Sequence, residues 1–219
     1  MTPAPIALLT PMANPTVERE MRRLLLPDVD YLVGRLVGTE ADSTTRLRQY
    51  AENLGDALLQ FGGFTLSAVA FACTASSYLI GSEHEKAIAR QVGLPVLWAA
   101  GCIREELIKH SARRIAVISP YPDPIHQAGL GYWRKAGFEV AFDRRIDIGS
   151  QDTRAIYDLD GSEALDLVAQ ARKAGPDLIL LSGTGMPTLS LLDPGGTPPV
   201  ISSNHCLAQA MIAFQDRNS

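Results

Sequence analysis

The sequence lacks the features by which membrane-spanning and secreted proteins are recognised. No apolar stretch approaches the roughly 20 residues that a helix needs to span a bilayer. The N-terminal residues Met-Thr-Pro-Ala-Pro have neither the basic segment nor the apolar core of a signal peptide. Cysteine is scarce, and the three cysteines among 219 residues cannot all pair with one another. We therefore expect a protein of the reducing cytoplasm without membrane contact.

Signals for nucleic acid, nucleotides and metals are also missing. The formal net charge is −4, and no basic run is longer than two arginines, so the sequence has no electrostatic footprint for nucleic acid. The motif Gly183-Thr-Gly185 begins like a dinucleotide fingerprint, but Thr188 stands where the third glycine should be. The four histidines are scattered, and no Cys or His pair has the spacing of metal ligands. We expect no metal site and no nucleic-acid partner.

What is present is a stretch, residues 68–77, in which a strand-like apolar run leads to a thiol and small hydroxyl-bearing residues follow. An apolar run stops at Cys73, and a short apolar run bounded by small polar residues predicts a buried parallel strand followed by a helix. Ligands bind at the carboxyl edge of such strands, and the first N–H groups of the helix attract an anion and favour a thiolate. Cys73 could therefore act as a nucleophile or base beside a bound carboxylate. A buried, inert cysteine is the alternative that position alone leaves open.

A second copy of this stretch lies at residues 178–187, where Gly183-Thr184 aligns with Cys73-Thr74. Two further strand pairs recur in the same order, 6–11 with 115–120 and 94–98 with 198–202. Three pairs in register predict a duplicated, Rossmann-like α/β unit rather than one sheet of unrelated strands. We expect two pseudo-symmetric parallel-sheet halves with the active site in the cleft between them. The predicted halves are 1–105 and 106–204, and the predicted last helix, 205–219, packs back on the first half.

The stretches between strands carry helical patterns and turn residues. Helices are predicted at 17–26, 46–60, 76–92, 101–111, 161–174 and 205–214, and a helix-like segment is expected after Gly183. Asn14, in the turn after the first strand, suits a carboxylate oxygen, or it holds its own turn by a hydrogen bond to the backbone. Tyr121 follows the equivalent strand of the second half and can donate to a carboxylate or enolate-like oxygen, or it covers the strand edge. Cys102 and the pair His205-Cys206 receive no role.

Together these turns resemble the aspartate/glutamate racemase superfamily, particularly its branch of maleate cis-trans isomerases and arylmalonate decarboxylases. The resemblance covers essentially the whole chain and rests on residues 10–18, 72–74, 120–121, 181–189 and 200–204. It implies two α/β halves around a cleft, no metal or organic cofactor, and commonly one cysteine from each half on opposite faces of a carboxylate substrate. It further implies that Cys73 is the first cysteine, Thr74 a carboxylate-binding position, Asn14 the amide of the first turn and Tyr121 an oxyanion-holding phenol. The remaining substrate-binding positions are expected at Ala75, Ser76, Gly183, Thr184 and Gly185.

The chain departs from this pattern at Gly183, where the second cysteine is expected. A two-base racemase removes a proton on one face and delivers one on the other, so two-base amino-acid racemisation is disfavoured. The arylmalonate decarboxylase pattern keeps only the second cysteine, whereas this chain keeps only the first. Maleate isomerase-like chemistry uses the first cysteine as nucleophile. We therefore predict a cofactor-independent enzyme that acts on a small mono- or dicarboxylate through Cys73. Cis-trans isomerisation is preferred, decarboxylation is the alternative, and a non-catalytic small-acid-binding module is the rival of another class. The sequence is compatible with a homo-oligomer and does not identify the substrate.

Overall fold

Two parallel four-stranded sheets organise the fold of the computed structural model, which describes residues 4–218. The first sheet has the spatial order second, first, third, fourth strand, and its strands are β1 (Ile6–Pro11), β2 (Tyr31–Leu36), β3 (Ala68–Phe71) and β4 (Val96–Trp98). The second sheet repeats that order with β5 (Arg114–Ser119), β6 (Glu139–Arg145), β7 (Leu178–Leu181) and β8 (Val200–Ser202). The repeated order confirms the predicted pair of pseudo-symmetric α/β units.

Helices connect these strands and cover the sheets. The α-helices are α1 (Thr16–Leu24), α2 (Ser43–Glu52), α3 (Leu54–Leu58), α4 (Thr74–Ile80), α5 (Ser82–Val92), α6 (Ala99–Lys109), α7 (Asp123–Lys135), α8 (Leu165–Lys173) and α9 (Ser203–Asn218). Short 3-10 turns lie at Leu59–Phe61, Thr153–Asp158, Ser162–Ala164 and Leu189–Leu191. The central strands β1, β3 and β7 are buried along their whole length, as in parallel sheets covered on both faces. Among residues 4–218 no helix is long and apolar enough to cross a membrane.

The last helix, α9, packs against elements of the first half. It contacts α1 and α6, and the Gln215 side chain exchanges hydrogen bonds with the backbone of Asp28 and Asp30. The division of the chain into 1–105, 106–204 and 205–219 stays a prediction. Its first boundary falls inside α6, and residues 1–3 and 219 lie outside the described part of the chain.

The observed helices differ from the predicted ones where the backbone leaves the helical region. The helix predicted over 76–92 begins earlier, at Thr74, and is interrupted at Gly81, whose φ of 79° and ψ of 160° are not helical. The helix predicted over 46–60 is divided at Asn53 into α2 and α3 and then tightens into a 3-10 turn. Apolar periodicity continues across the break at Asn53, so the pattern alone does not reveal that break.

Helix α7 has no counterpart among the predicted helices. Gly129 and Gly131 interrupt its sequence and lower its helix propensity. The structure gives Gly129 a packing role, because an added Cβ would lie 2.8 Å from the ring of Tyr78 on α4. Close approach of α4 and α7 therefore requires a residue that local propensity disfavours.

Candidate active site

Two turns meet at the carboxyl edges of the two sheets. The first turn, residues 72–76, follows β3 and carries Cys73, and the second turn, residues 182–185, follows β7 and carries Gly183. The Thr184 hydroxyl donates to the carbonyl of Ala72 at 2.9 Å, and the Thr16 hydroxyl donates to the carbonyl of Gly185 at 2.7 Å. These hydrogen bonds join the halves directly beside the thiol, as the predicted cleft requires.

A cavity of about 30 Å³ lies between the turns. Larger surface grooves of about 400 and 540 Å³ contain neither turn, so the small cavity is the one placed for thiol chemistry. No charged side chain of the described chain lines the small cavity, whose lining residues are Pro11, Asn14, Leu47, Cys73, Ala75, Tyr121, Thr153, Ile156, Tyr157, Thr184 and Gly185. Six of the predicted site residues belong to this lining, namely Asn14, Cys73, Ala75, Tyr121, Thr184 and Gly185.

Cys73 precedes α4 and is buried, with its Sγ 3.2 Å from the Ser76 hydroxyl. That hydroxyl also contacts the carbonyl of Leu47 at 2.6 Å, so its single proton is shared between two acceptors. Burial raises the pKa of Cys73, and this effect outweighs the Ser76 hydroxyl and the N–H groups of Ser76 and Ala75, which lower it. The thiolate that we expected from the helix end is therefore not favoured in the closed cavity.

Two hydroxyl-bearing side chains, Tyr121 and Thr74, lie near Cys73. Burial, together with the nearby Cys73, raises the pKa of Tyr121, so the phenol stays protonated and can donate. The Thr74 hydroxyl has the opposite effect and lowers the pKa of Tyr121. The Thr74 hydroxyl is buried and has no hydrogen-bond partner within residues 4–218. Buried hydroxyls without partners are uncommon in native proteins. Thr74 does not line the cavity itself, although its sequence neighbours Cys73 and Ala75 do.

Asn14 serves its own turn with one end of its amide. Its Oδ1 accepts from the backbone N–H of Thr16 at 2.9 Å and of Val17 at 3.3 Å, so it fixes the start of α1. Its Nδ2 makes no hydrogen bond within the described chain, and the residue lines the cavity. The amide can therefore hold the turn and still present two N–H donors to a ligand.

The second turn differs from the first in its backbone. Gly183 has a φ of 137°, and an added Cβ would lie 3.2 Å from Cδ of Pro120 and 3.5 Å from the phenol oxygen of Tyr121. The helix-like segment expected after Gly183 is absent, since turns and a short 3-10 segment at Leu189–Leu191 follow. Pro187 and two glycines explain this departure from the repeat. A cysteine thiolate at position 183 would consequently not be stabilised by a helix N-terminus.

A buried carboxylate fixes the second turn and the residues that follow it to the first half. Glu20, on α1, accepts hydrogen bonds from the backbone N–H groups of Thr188 and Leu189 and from the Thr188 hydroxyl. It also accepts from Nδ2 of Asn204 at 2.8 Å, and the same nitrogen reaches the carbonyl of Thr184 at 3.1 Å. Several donors on one buried carboxylate compensate its loss of hydration.

The sequence analysis missed the part of the site that comes from residues 147–158, here called the strap. Thr153, Ile156 and Tyr157 of the strap line the cavity, while Asp152 bonds the guanidinium of Arg46 on α2 at 2.7 Å. The signal was the pair Ile156-Tyr157, two adjacent large residues in a loop rich in Asp, Gln and Thr. Such a pair indicates that the loop folds inward.

The remaining thiols and histidines lie away from the cavity. Cys102 and Cys206 are free and buried, and burial raises the pKa of both well above the ordinary thiol value. His205 is buried beside Cys206, and burial lowers its pKa. No group of three or more metal-ligating side chains occurs in the part of the chain that the structure describes.

Comparison with known proteins gives consistent matches over most of the chain. A sequence model of the arylmalonate decarboxylase family matches residues 6–217. The maleate isomerase of Nocardia farcinica is 27% identical over 224 residues, covering 87% of this chain and 86% of that protein. The maleate isomerase of Pseudomonas putida is 29% identical over 126 residues, which cover 56% of this chain and only 50% of that protein.

One solved structure shows the likeness in three dimensions. It is a Cys-to-Ser mutant of Nocardia farcinica maleate cis-trans isomerase with a covalently bound succinylcysteine intermediate. Its TM-score is 0.82 at 21% identity, and the match covers 97% of this chain and 93% of that chain. At this identity the match demonstrates a common fold.

Proposed function

This chain belongs to the arylmalonate decarboxylase family, and on that premise we propose that it isomerises a small cis-dicarboxylate through Cys73 without a cofactor. The observation that carries the proposal is the composition of the cavity. Cys73 is the one cysteine of the described chain that lines it, and neutral hydrogen-bond donors, including Asn14 and Tyr121, surround the thiol. Covalent addition of a thiol to a carboxylate-activated double bond needs such a set and needs no metal ligands.

The proposed reaction begins with addition of the Cys73 thiolate to one alkene carbon. A C–S bond forms, and the π-electron pair moves toward the carboxylate of the other carbon, where Tyr121 donates to a developing enolate oxygen. The former double bond is now single and can rotate. Return of the electron pair expels the thiolate and leaves the trans product. A succinylcysteine adduct, as described for the Nocardia farcinica mutant, is what protonation of this intermediate yields.

The cavity volume sets a condition on substrate entry. About 30 Å³ holds about one or two water molecules and is too small for a four-carbon dicarboxylate. We infer that the strap moves aside for entry, because it is a loop with one short 3-10 segment and is attached to α2 by polar contacts such as Arg46–Asp152. Cys73 then loses its proton to water while the cavity is open and reacts as the thiolate after closure.

Decarboxylation is the second candidate, and the glycine at position 183 favours it. After loss of carbon dioxide from a malonate, the carbanion needs a single proton donor, and one thiol lines this cavity. The enolate donor Tyr121 would serve both reactions. Expected substrates are then small malonates, since these need the smallest displacement of the strap from the closed cavity.

Turnover of a defined substrate set tests both candidates. We expect conversion of maleate to fumarate, and we would measure maleate, alkyl- and arylmalonates and aspartate side by side with the parent protein. Cys73→Ala is expected to abolish turnover, while Cys102→Ala, a buried cysteine outside the cavity, serves as the matched control. A chelator should leave the rate unchanged. Full activity in Cys73→Ala, or no turnover of any of these acids, would reject an enzyme that works through this thiol.

A further inference from the structure

The side of the cavity formed by the second turn has no thiol, but a phenol lies against it. An added Cβ at Gly185 would lie 2.7 Å from Cε1 of Tyr157, so the tyrosine ring packs directly on this turn. Tyr157 lines the same cavity as Cys73, which belongs to the first turn. The two side chains therefore approach a bound molecule from different halves of the site.

Contacts across the halves fix the strap that carries Tyr157. Arg46 is almost fully buried and binds Asp152 at 2.7 Å, and it also donates to the carbonyls of Glu40 and Ala41. The backbone N–H of Thr153 donates to the Ser43 hydroxyl at 3.1 Å. These contacts hold the strap against α2, so the Tyr157 ring has a defined place when the cavity is closed.

Beyond the effect of burial, Cys73 raises the pKa of three tyrosines, Tyr50, Tyr121 and Tyr157. Of these, Tyr157 is the one that lines the cavity and has no role in the reaction as described so far. Tyr50 does not line the cavity, and the Tyr121 oxygen lies beside Gly183, where it serves as an enolate donor in the proposed reaction. The Tyr157 hydroxyl makes no hydrogen bond within residues 4–218 and is available to a ligand. Burial raises the pKa of Tyr157, and the nearby Cys73 raises it further, so the group enters the reaction as an acid.

Resting on the proposed isomerisation, we propose that Tyr157 is a second catalytic residue, which supplies the acid–base group that the missing second thiol would provide. When the Cys73 thiolate has formed its C–S bond, the phenol gives its proton to the adjacent carbon, a C–H bond forms, and Tyr157 becomes phenolate. After rotation, the phenolate removes a proton from that carbon, the electron pair restores the double bond, and the C–S bond breaks. The cycle regenerates the Cys73 thiolate and the Tyr157 phenol.

Steady-state kinetics of Tyr157→Phe with maleate tests this role. General acid–base catalysis contributes on the order of a hundredfold or more, so we expect kcat to fall by at least that factor while KM changes only a few-fold. Tyr31→Phe, a change at the opposite end of the first sheet, is expected to keep parental kinetics. Tyr157→His restores an acid–base group and should recover part of the lost kcat, which a purely structural role for the phenol would not produce.

The outcomes separate this assignment from the proposed function. If the parent and Tyr157→Phe isomerise maleate with kcat values within about threefold, isomerisation stands and the role of Tyr157 is overturned. If Tyr157→Phe is folded but slow and Tyr157→His is folded and no faster, the acid–base assignment is likewise overturned. If the parent itself converts no maleate although Cys73 is intact, the proposed isomerisation fails and this role fails with it.

Discussion

Replacing the buried Glu20 by glutamine is expected to weaken the junction between α1 and the second turn. One carboxylate oxygen accepts from the backbone N–H groups of Thr188 and Leu189, and the other accepts from Asn204. Glutamine can keep an oxygen toward the two backbone donors, but the hydrogen bonds become neutral. A hydrogen bond to a charged group contributes about 1 kcal/mol more than a neutral one, so this side loses about 1–2 kcal/mol.

On the other side, the new amide nitrogen would face Nδ2 of Asn204, donor against donor. The Asn204 Oδ1 is buried without a partner in the described chain, so a flip of the Asn204 amide removes this repulsion. The flip breaks the hydrogen bond to the Thr184 carbonyl, which costs about 1 kcal/mol. The free energy of unfolding should therefore fall by about 2–3 kcal/mol in total, and Tm by about 4–12 °C for a chain of this size.

Thermal unfolding at neutral pH, followed by calorimetry, measures this change. Glu52→Gln alters an exposed carboxylate at the end of α2 and is the matched control, expected to shift Tm by no more than about 1–2 °C. A Tm for Glu20→Gln equal to that of the control would refute the reasoning, because it would mean that the charge and the Thr184 contact contribute nothing to stability.

Three further predictions concern Gly183, Tyr121 and Cys73. Gly183→Ala should lower the free energy of unfolding by about 1–3 kcal/mol, because a φ of 137° is strained for any L side chain, and Gly195→Ala, with open space around it, is the control in thermal unfolding. Tyr121→Phe should reduce kcat/KM on the order of a hundredfold by removing an enolate donor, and wild-type kinetics would show that the substrate is placed elsewhere. Since burial raises the pKa of Cys73, its alkylation by iodoacetamide should be slow at pH 7 and accelerate about tenfold per pH unit into the alkaline range, and a rate already saturated near pH 8 would contradict a raised pKa.

Local sequence features predicted the strands and the two turns, since short apolar runs ending in small residues leave few alternatives. The strand of residues 6–11 has the predicted bounds, and Cys73 lies at the predicted edge. The tertiary contacts that complete the cavity could not be predicted in this way. Tyr157 reaches the site because Arg46, more than 100 positions earlier, binds the strap, and no local pattern links these two segments.

The internal repeat was informative about topology and misleading about detail. It correctly predicted one strand order in both halves. It also suggested a helix after Gly183 by analogy with the helix after Cys73, whereas Pro187 and the hydrogen bonds of Glu20 hold that segment in turns. A duplicated unit conserves its sheets, because these depend on apolar pattern, more faithfully than its connections, which depend on individual side chains.

The absence of charged side chains from the described cavity lining affects which ionic form of a substrate can enter. A dicarboxylate that moves from water into this closed space meets amide and hydroxyl dipoles but no countercharge. Each carboxylate left ionised carries a desolvation cost that such dipoles only partly offset. We therefore expect the singly protonated acid to bind in preference to the dianion. KM should then rise with pH as the second carboxyl group of the substrate ionises. The titrating group behind this pH dependence would belong to the substrate and not to the protein.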